Sequence, residues 1–113
     1  MKKTIVILAV VGMVGCSSMA ELRSGKPEAT FYSNKNIDEV SECILSGWQE
    51  NSVRYGDVFI QPYKGGKTVY TPNSTEVSDV VNVDGKTQIS FYHQSGIFSY
   101  RINSRLDAIK RCI

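Results

Sequence analysis

Between Asp57 and Ile102 the chain carries five short runs, "DVFIQPY", "KTVYT", "EVSDVVNV", "KTQISFYH" and "IFSYRI", all rich in Val, Ile, Phe, Tyr and Thr. The intervening stretches are "KGGK", "TPNST", "VDGK" and "QSG". Residues of the first kind fit a half-buried pleated surface, and residues of the second kind reverse the chain. Consecutive strands joined by turns this short pair antiparallel, so this half of the chain is read as a meander. Pro62 lacks a backbone donor and places its strand at an edge, or ends it. The turn at Asp84-Gly85 is read further. Val77, Val81 and Val83 share one face of their strand, and Ile89 and Phe91 share one face of the next. Only an odd-length loop brings both sets to one side, so a three- or five-residue turn is expected, with Gly85 at positive φ.

The flanks are helical by period. Ile37, Val40, Ile44 and Trp48 recur at helical spacing, with Leu45 broadening the stripe. Asn36 is placed to cap this helix and Glu39 to return the bond in a capping box. The helix is expected to end near Glu50 or Asn51. The final stretch, "NSRLDAIKRCI", repeats the logic: Ser104 and Asp107 as a capping box, Leu106, Ile109 and Ile113 as the apolar stripe, and Lys110 and Arg111 at the negative helix end. "TFYS", residues 30–33, reads as a short first strand. The expected fold is α+β, an antiparallel sheet of four to five strands with an N-terminal and a C-terminal helix packed on one face.

The first residues are of a different kind. Lys2 and Lys3 precede "TIVILAVVGMVG", residues 4–15, which is apolar and uncharged. Twelve residues are too few to span a bilayer, which takes roughly 20, but suit the core of a signal peptide. Met13, Val14, Gly15 and Cys16 resemble the processing signal of bacterial lipoprotein precursors, with Met13 departing from the usual Leu. The resemblance covers residues 1 to about 18 and not the folded part. It implies cleavage before Cys16, lipid on the Cys16 sulfur and a further acyl chain on its amine. Ser17, where Asp would favour retention in the inner membrane, implies the outer membrane facing the periplasm. The alternative is an ordinary cut after Ala20 and a soluble periplasmic protein. The resulting domains are a signal peptide over 1–15, the lipidated Cys and a flexible tether over 16–30, and one small domain over 31–113.

Charge narrows the partners. The formal +2 resides in Lys2 and Lys3, and without them 11 basic residues face 11 acidic ones. A nucleic-acid partner usually demands a basic excess, so none is expected. Residues 16–60 hold seven acidic and four basic side chains, and residues 61–113 the reverse. Pairing between the halves is expected, with Asp38, Glu39 and Glu42 brought near Arg105, Lys110 and Arg111.

With Cys16 assigned to lipid, Cys43 and Cys112 remain, and in an oxidising compartment they are expected to form a disulfide. A metal role lacks support, since neither Cys has a paired Cys or His at ligand spacing and zinc takes about four ligands. No cofactor is expected. His93, the only histidine, is a weak candidate general base without a nucleophile motif beside it. "KGGK", residues 64–67, is read as a hairpin turn and not a phosphate loop.

Six tyrosines are the one compositional hint of recognition, with Tyr63, Tyr70, Tyr92 and Tyr100 on expected strands. The expected binding face is the side of the sheet away from the helices, carrying Tyr70 and Tyr92 with Lys64 and Lys67 at a nearby turn. The leading reading is a non-enzymatic domain, held to the membrane by its lipid, that binds a protein or envelope component as a scaffold. The alternative is a small envelope inhibitor of a lytic enzyme or of phage entry. An enzyme is the third reading and is not expected.

Overall fold

A computed structural model describes residues 17–113, so Cys16 and the segment read as a signal peptide, 1–15, lie outside the described residues. The elements run α1 (Met19–Ser24), β1 (Ala29–Ser33), α2 (Ile37–Gln49), α3 (Ser52–Tyr55), β2 (Phe59–Tyr63), β3 (Gly66–Tyr70), β4 (Glu76–Val83), β5 (Lys86–His93) and α4 (Ser99–Lys110). The fold is α+β. Its five strands form one antiparallel sheet in the order β1-β5-β4-β3-β2. β2 with Pro62 is an edge strand, where a missing amide donor breaks no central ladder.

Residues opposite one another in an antiparallel ladder point to the same side. The register therefore sorts the strands into two faces. The first carries Ile60, Val69, Ser78 and Phe91 in one cross-strand row and Lys67, Val80, Ile89 and Phe31 in the next. The second carries Phe59, Tyr70, Val77 and Tyr92 in one row and Gln61, Thr68, Asp79 and Ser90 in another.

The apolar core joins Val40, Ile44 and Trp48 of α2 and Ile102, Ala108 and Ile109 of α4 to Val69, Val80, Ile89 and Phe91 of the first face. Trp48 is fully buried and meets the Phe91 ring edge-on at 6.0 Å. Asn36 caps α2, its Oδ1 accepting from the Glu39 amide at 2.8 Å. Gly47 lies where the two long helices come closest, and a Cβ there would stand 3.1 Å from the Ala108 Cβ. The Cys43–Cys112 disulfide joins the middle of α2 to the chain just past α4, with the Cα atoms 5.7 Å apart.

Several expectations change. The Asp84-Gly85 loop has two residues, since Val83 pairs with Lys86. Both loop residues take positive φ (54° and 85°), the turn whose twist suits paired strands. Val77, Val81 and Val83 therefore lie opposite to Ile89 and Phe91. The valine of β4 that enters the core is Val80, between polar neighbours on its own face.

"IFSYRI" is not a strand. α4 begins at Ser99, so Ser104 and Asp107 lie inside the helix and cap nothing. Its inward stripe runs Ile102, Arg105 and Ile109, with Arg105 as buried as the apolar residues. That charge faces Glu76, also fully buried, which accepts from Arg101 Nη2 and Thr71 Oγ1 at 2.9 and 2.7 Å. Arg101 Nε also bonds Glu76, and Arg105 Nε stands 3.4 Å from its Oε1. Burial lowers the Arg105 guanidinium from its usual value, and Glu76 works against that shift.

The charge pairs also differ from expectation. Among the described residues Asp38 pairs with Lys67, Arg23 with Asp79, and Glu76 with Arg101 and Arg105. The first joins an acid of the early half to a base of the late half, as Glu28 and His93 also do when the imidazole is protonated. The segment read as a flexible tether contains α1 and contacts the sheet.

Candidate functional site

The second face begins with α1. Ser18 Oγ accepts from the Glu21 amide at 3.1 Å, and Glu21 Oε1 accepts from the Ser18 amide at 2.7 Å, a complete capping box. A six-residue helix is marginal alone, because nucleation fixes several residues for few bonds. Its attachments to the sheet supply the rest. Arg23 forms a two-bond fork with Asp79, each contact 2.8 Å, and Nη2 also donates to Thr68 Oγ1 at 2.8 Å. Thr68 Oγ1 in turn donates to Asp79 Oδ1 at 2.7 Å. The Arg23 guanidinium lies 3.7 Å from the centre of the Tyr63 ring, a cation–π contact. The bond to Asp79 raises the Arg23 guanidinium above its ordinary value, against the opposing effect of burial.

The chain is tied at both ends of α1. Ser17 N donates to Gln94 Oε1 at 2.8 Å, and Gln94 Nε2 donates to Ser17 O at 2.7 Å. Gln94 is buried and also donates to Ser74 O at 3.1 Å, a residue held at positive φ. Beyond α1, the Glu28 amide donates to Phe91 O at 2.7 Å and its carboxylate meets His93 Nε2 at 2.9 Å.

The four residues expected on one binding face separate. Tyr70 and Tyr92 do share the second face, both opposite Val77. Lys67 belongs to the first face, where its Nζ meets Asp38 Oδ1 at 3.0 Å. Lys64 sits in the β2–β3 turn at φ 48°, with its Nζ 5.5 Å from the Tyr63 ring centre. Tyr70 is half-buried against Phe59, ring centres 5.5 Å apart. Tyr100 lies in the first turn of α4 and not on a strand.

The second face carries a shallow depression of about 330 Å3 beside Arg23, with Tyr63, Lys64, Asp79, Asn82, Ser90 and Tyr92 in its lining. It offers aromatic edges, amide and hydroxyl groups and one ammonium. Burial, followed by the charge of Asp79, raises the Tyr92 phenol above its usual range, so it stays protonated as a donor. Asp79 and Arg23 were not singled out in the sequence, and Tyr63 was named as a strand tyrosine but not as part of the binding face. The "SMAE" spacing of Ser18 and Glu21, read as tether, is the local signal that a helix starts there.

His93 has both ring nitrogens engaged internally, Nδ1 at 2.6 Å from Gln94 O and Nε2 on Glu28. Among the described residues no group of three or more His, Cys, Asp or Glu is arranged to hold a metal ion. No helix among them is long and apolar enough to cross a membrane.

The chain matches no family model, no curated protein and no solved structure in comparisons with known proteins.

Proposed function

We propose that this chain is a lipid-anchored domain of the bacterial envelope, carried by Cys16 on the periplasmic side of the outer membrane, that works by binding a protein or envelope component. The observation that carries the reading is the Cys43–Cys112 bridge. Disulfides persist in oxidising compartments, and this one accounts for two of the three cysteines in the sequence, with Cys16 outside the bridge. In this reading α2 and α4 form one layer over the first face, and the partner meets the second. The contact surface is narrower than the sequence suggested. It is the depression between Tyr63, Lys64 and Tyr92, backed by the Arg23–Asp79 pair, which holds its wall rigid before a partner arrives. The scaffold reading leads, and an envelope inhibitor would use the same surface.

The test is in two steps. Intact mass of protein extracted from membranes should start at Cys16, carry acyl chains, and rise by two hydrogens on reduction. A benzophenone amino acid at Tyr92 should then crosslink an envelope component in living cells, while one at the exposed Glu39 of α2 should not. A lytic enzyme or phage component in the adduct would select the inhibitor, and an assembly subunit the scaffold. An unlipidated chain, or identical crosslinking from both positions, would contradict the reading.

A further inference from the structure

We infer that the end of the domain bearing Ser17 is a second membrane contact. There Phe98 and Tyr100, flanked by Val53 and Arg54, rest on the phospholipid leaflet that holds the anchor. The inference depends on the lipid reading of Cys16.

Distance sets the first constraint. Ser17 is clasped through both its amide and its carbonyl by the buried Gln94 side chain. Consecutive Cα atoms are about 3.8 Å apart. A lipid on Cys16 therefore leaves no length of free chain between the bilayer and the folded domain, and the surface around Gln94 must lie against the headgroups.

The second is what that surface carries. Phe98 follows Gln94 by four residues and is 68% exposed, and Tyr100 is 55% exposed. The two rings stack with centroids 5.4 Å apart. Arg54 lies 5.6 Å from the Tyr100 ring centre, and its neighbour Val53 is wholly exposed. Phe98 occupies the N-cap of α4 without offering a capping bond, where Ser, Thr, Asp or Asn would serve better. The fold uses neither its side chain as a cap nor its area as core. An exposed aromatic pair with a cation beside it is the composition that settles at a bilayer interface, rings among the upper acyl chains and the cation among phosphates.

The third is position. Glu76 pairs with His93 at one end of the β4–β5 hairpin and Val83 with Lys86 at the other, seven residues away. Arg101, one residue past Tyr100, binds Glu76. Gln94, Phe98 and Tyr100 thus gather at the Glu76 end, with the Asp84-Gly85 turn about 23 Å off along the strands.

The test uses the full mature lipoprotein in vesicles of phosphatidylethanolamine and phosphatidylglycerol, with acyl chains brominated near the headgroup. Phe98→Trp adds an emitter at the contact, and Val83→Trp adds one at the far end. Trp48, fully buried, sets the background in the unsubstituted protein. An intact disulfide and unchanged circular dichroism verify the fold of each variant. The expected result is that vesicles float with the protein and that the Phe98→Trp emission falls about twofold, as for a ring seated at the headgroup–acyl boundary, with Val83→Trp unchanged. Flotation with neither emitter quenched overturns the docking and leaves the anchor standing, and a benzophenone at Phe98 that captures an envelope protein in place of lipid does the same. Failure to float overturns the anchor, and the docking falls with it.

Discussion

The two faces of the sheet are held by different forces. The first gives Val80, Ile89 and Phe91 to an apolar core shared with Trp48 of α2 and Ile109 of α4, helices of 13 and 12 residues joined by a disulfide. The second meets a helix of six residues through one arginine fork onto Asp79 and Thr68. Apolar burial is non-directional and roughly proportional to area, so it tolerates substitution by degrees. A buried charge pair is all or nothing, since losing one partner strands the other. The difference teaches where this protein is robust and where a single residue decides whether a face is covered.

The largest effect should come from the staple. Replacing both bridging cysteines, Cys43→Ala with Cys112→Ala, releases a 69-residue separation and should cost about 4 kcal/mol by chain entropy, read by denaturant unfolding. Next, Phe91→Ala should cost about 3 kcal/mol while leaving the Arg23 contacts in place. Arg23→Ala should cost about 2 kcal/mol, because the Asp79 carboxylate, with a side chain only 7% exposed, loses its cation and keeps only the Thr68 hydroxyl. In a double-mutant cycle Arg23→Ala and Asp79→Ala should couple. Additive losses would mean that α1 is held by something other than the fork. Ser18→Ala, at the capping box, should cost about 1 kcal/mol.

The smallest effect is one of pH. Burial raises the Tyr92 phenol above its ordinary value of about 10. Between that value and the raised one, the folded chain keeps a proton that the unfolded chain releases. Stability should therefore fall as pH rises through that window, and Tyr92→Phe should remove this part of the fall. An unchanged alkaline profile in Tyr92→Phe would place Tyr92 in open solvent.

Much of the first face was legible in sequence. β4 and β5 fall on the quoted runs, Pro62 marks an edge strand, Asn36 caps α2, and the cysteine pair bonds. These features are local, or they depend on a period that survives in one dimension. The rest depends on pairs far apart in the chain. Arg23 and Asp79 stand 56 residues apart, and neither is conspicuous until the fold joins them. α1 is too short to display an apolar period, and its one local signal was the Ser18–Glu21 box. The inward stripe of α4 was obscured because Arg105 fills a core position by pairing with Glu76. Lys67 was read at the "KGGK" turn but lies in β3, three residues from Tyr70 and so on the opposite face, whereas the valines were misplaced by the length of the Asp84-Gly85 loop. Turn residues alone do not fix register, and one residue of slip exchanges the faces. Of the candidate site, Tyr92 and Lys64 were legible, and the wall behind them was not.

The segment after Cys16 belongs to the domain and covers part of the second face beside the depression. Amide hydrogen exchange of residues 18–25 tests it most directly. The Leu22 amide bonds Ser18 O at 3.0 Å and the Gly25 amide bonds Leu22 O at 3.1 Å. Both should be protected well beyond an unstructured peptide, and Arg23→Ala should strip that protection while the amides of α2 keep theirs. Exchange at the rate of free peptide in the unsubstituted protein would contradict the account, returning residues 17–28 to a tether and leaving Tyr63, Asp79 and Tyr92 uncovered.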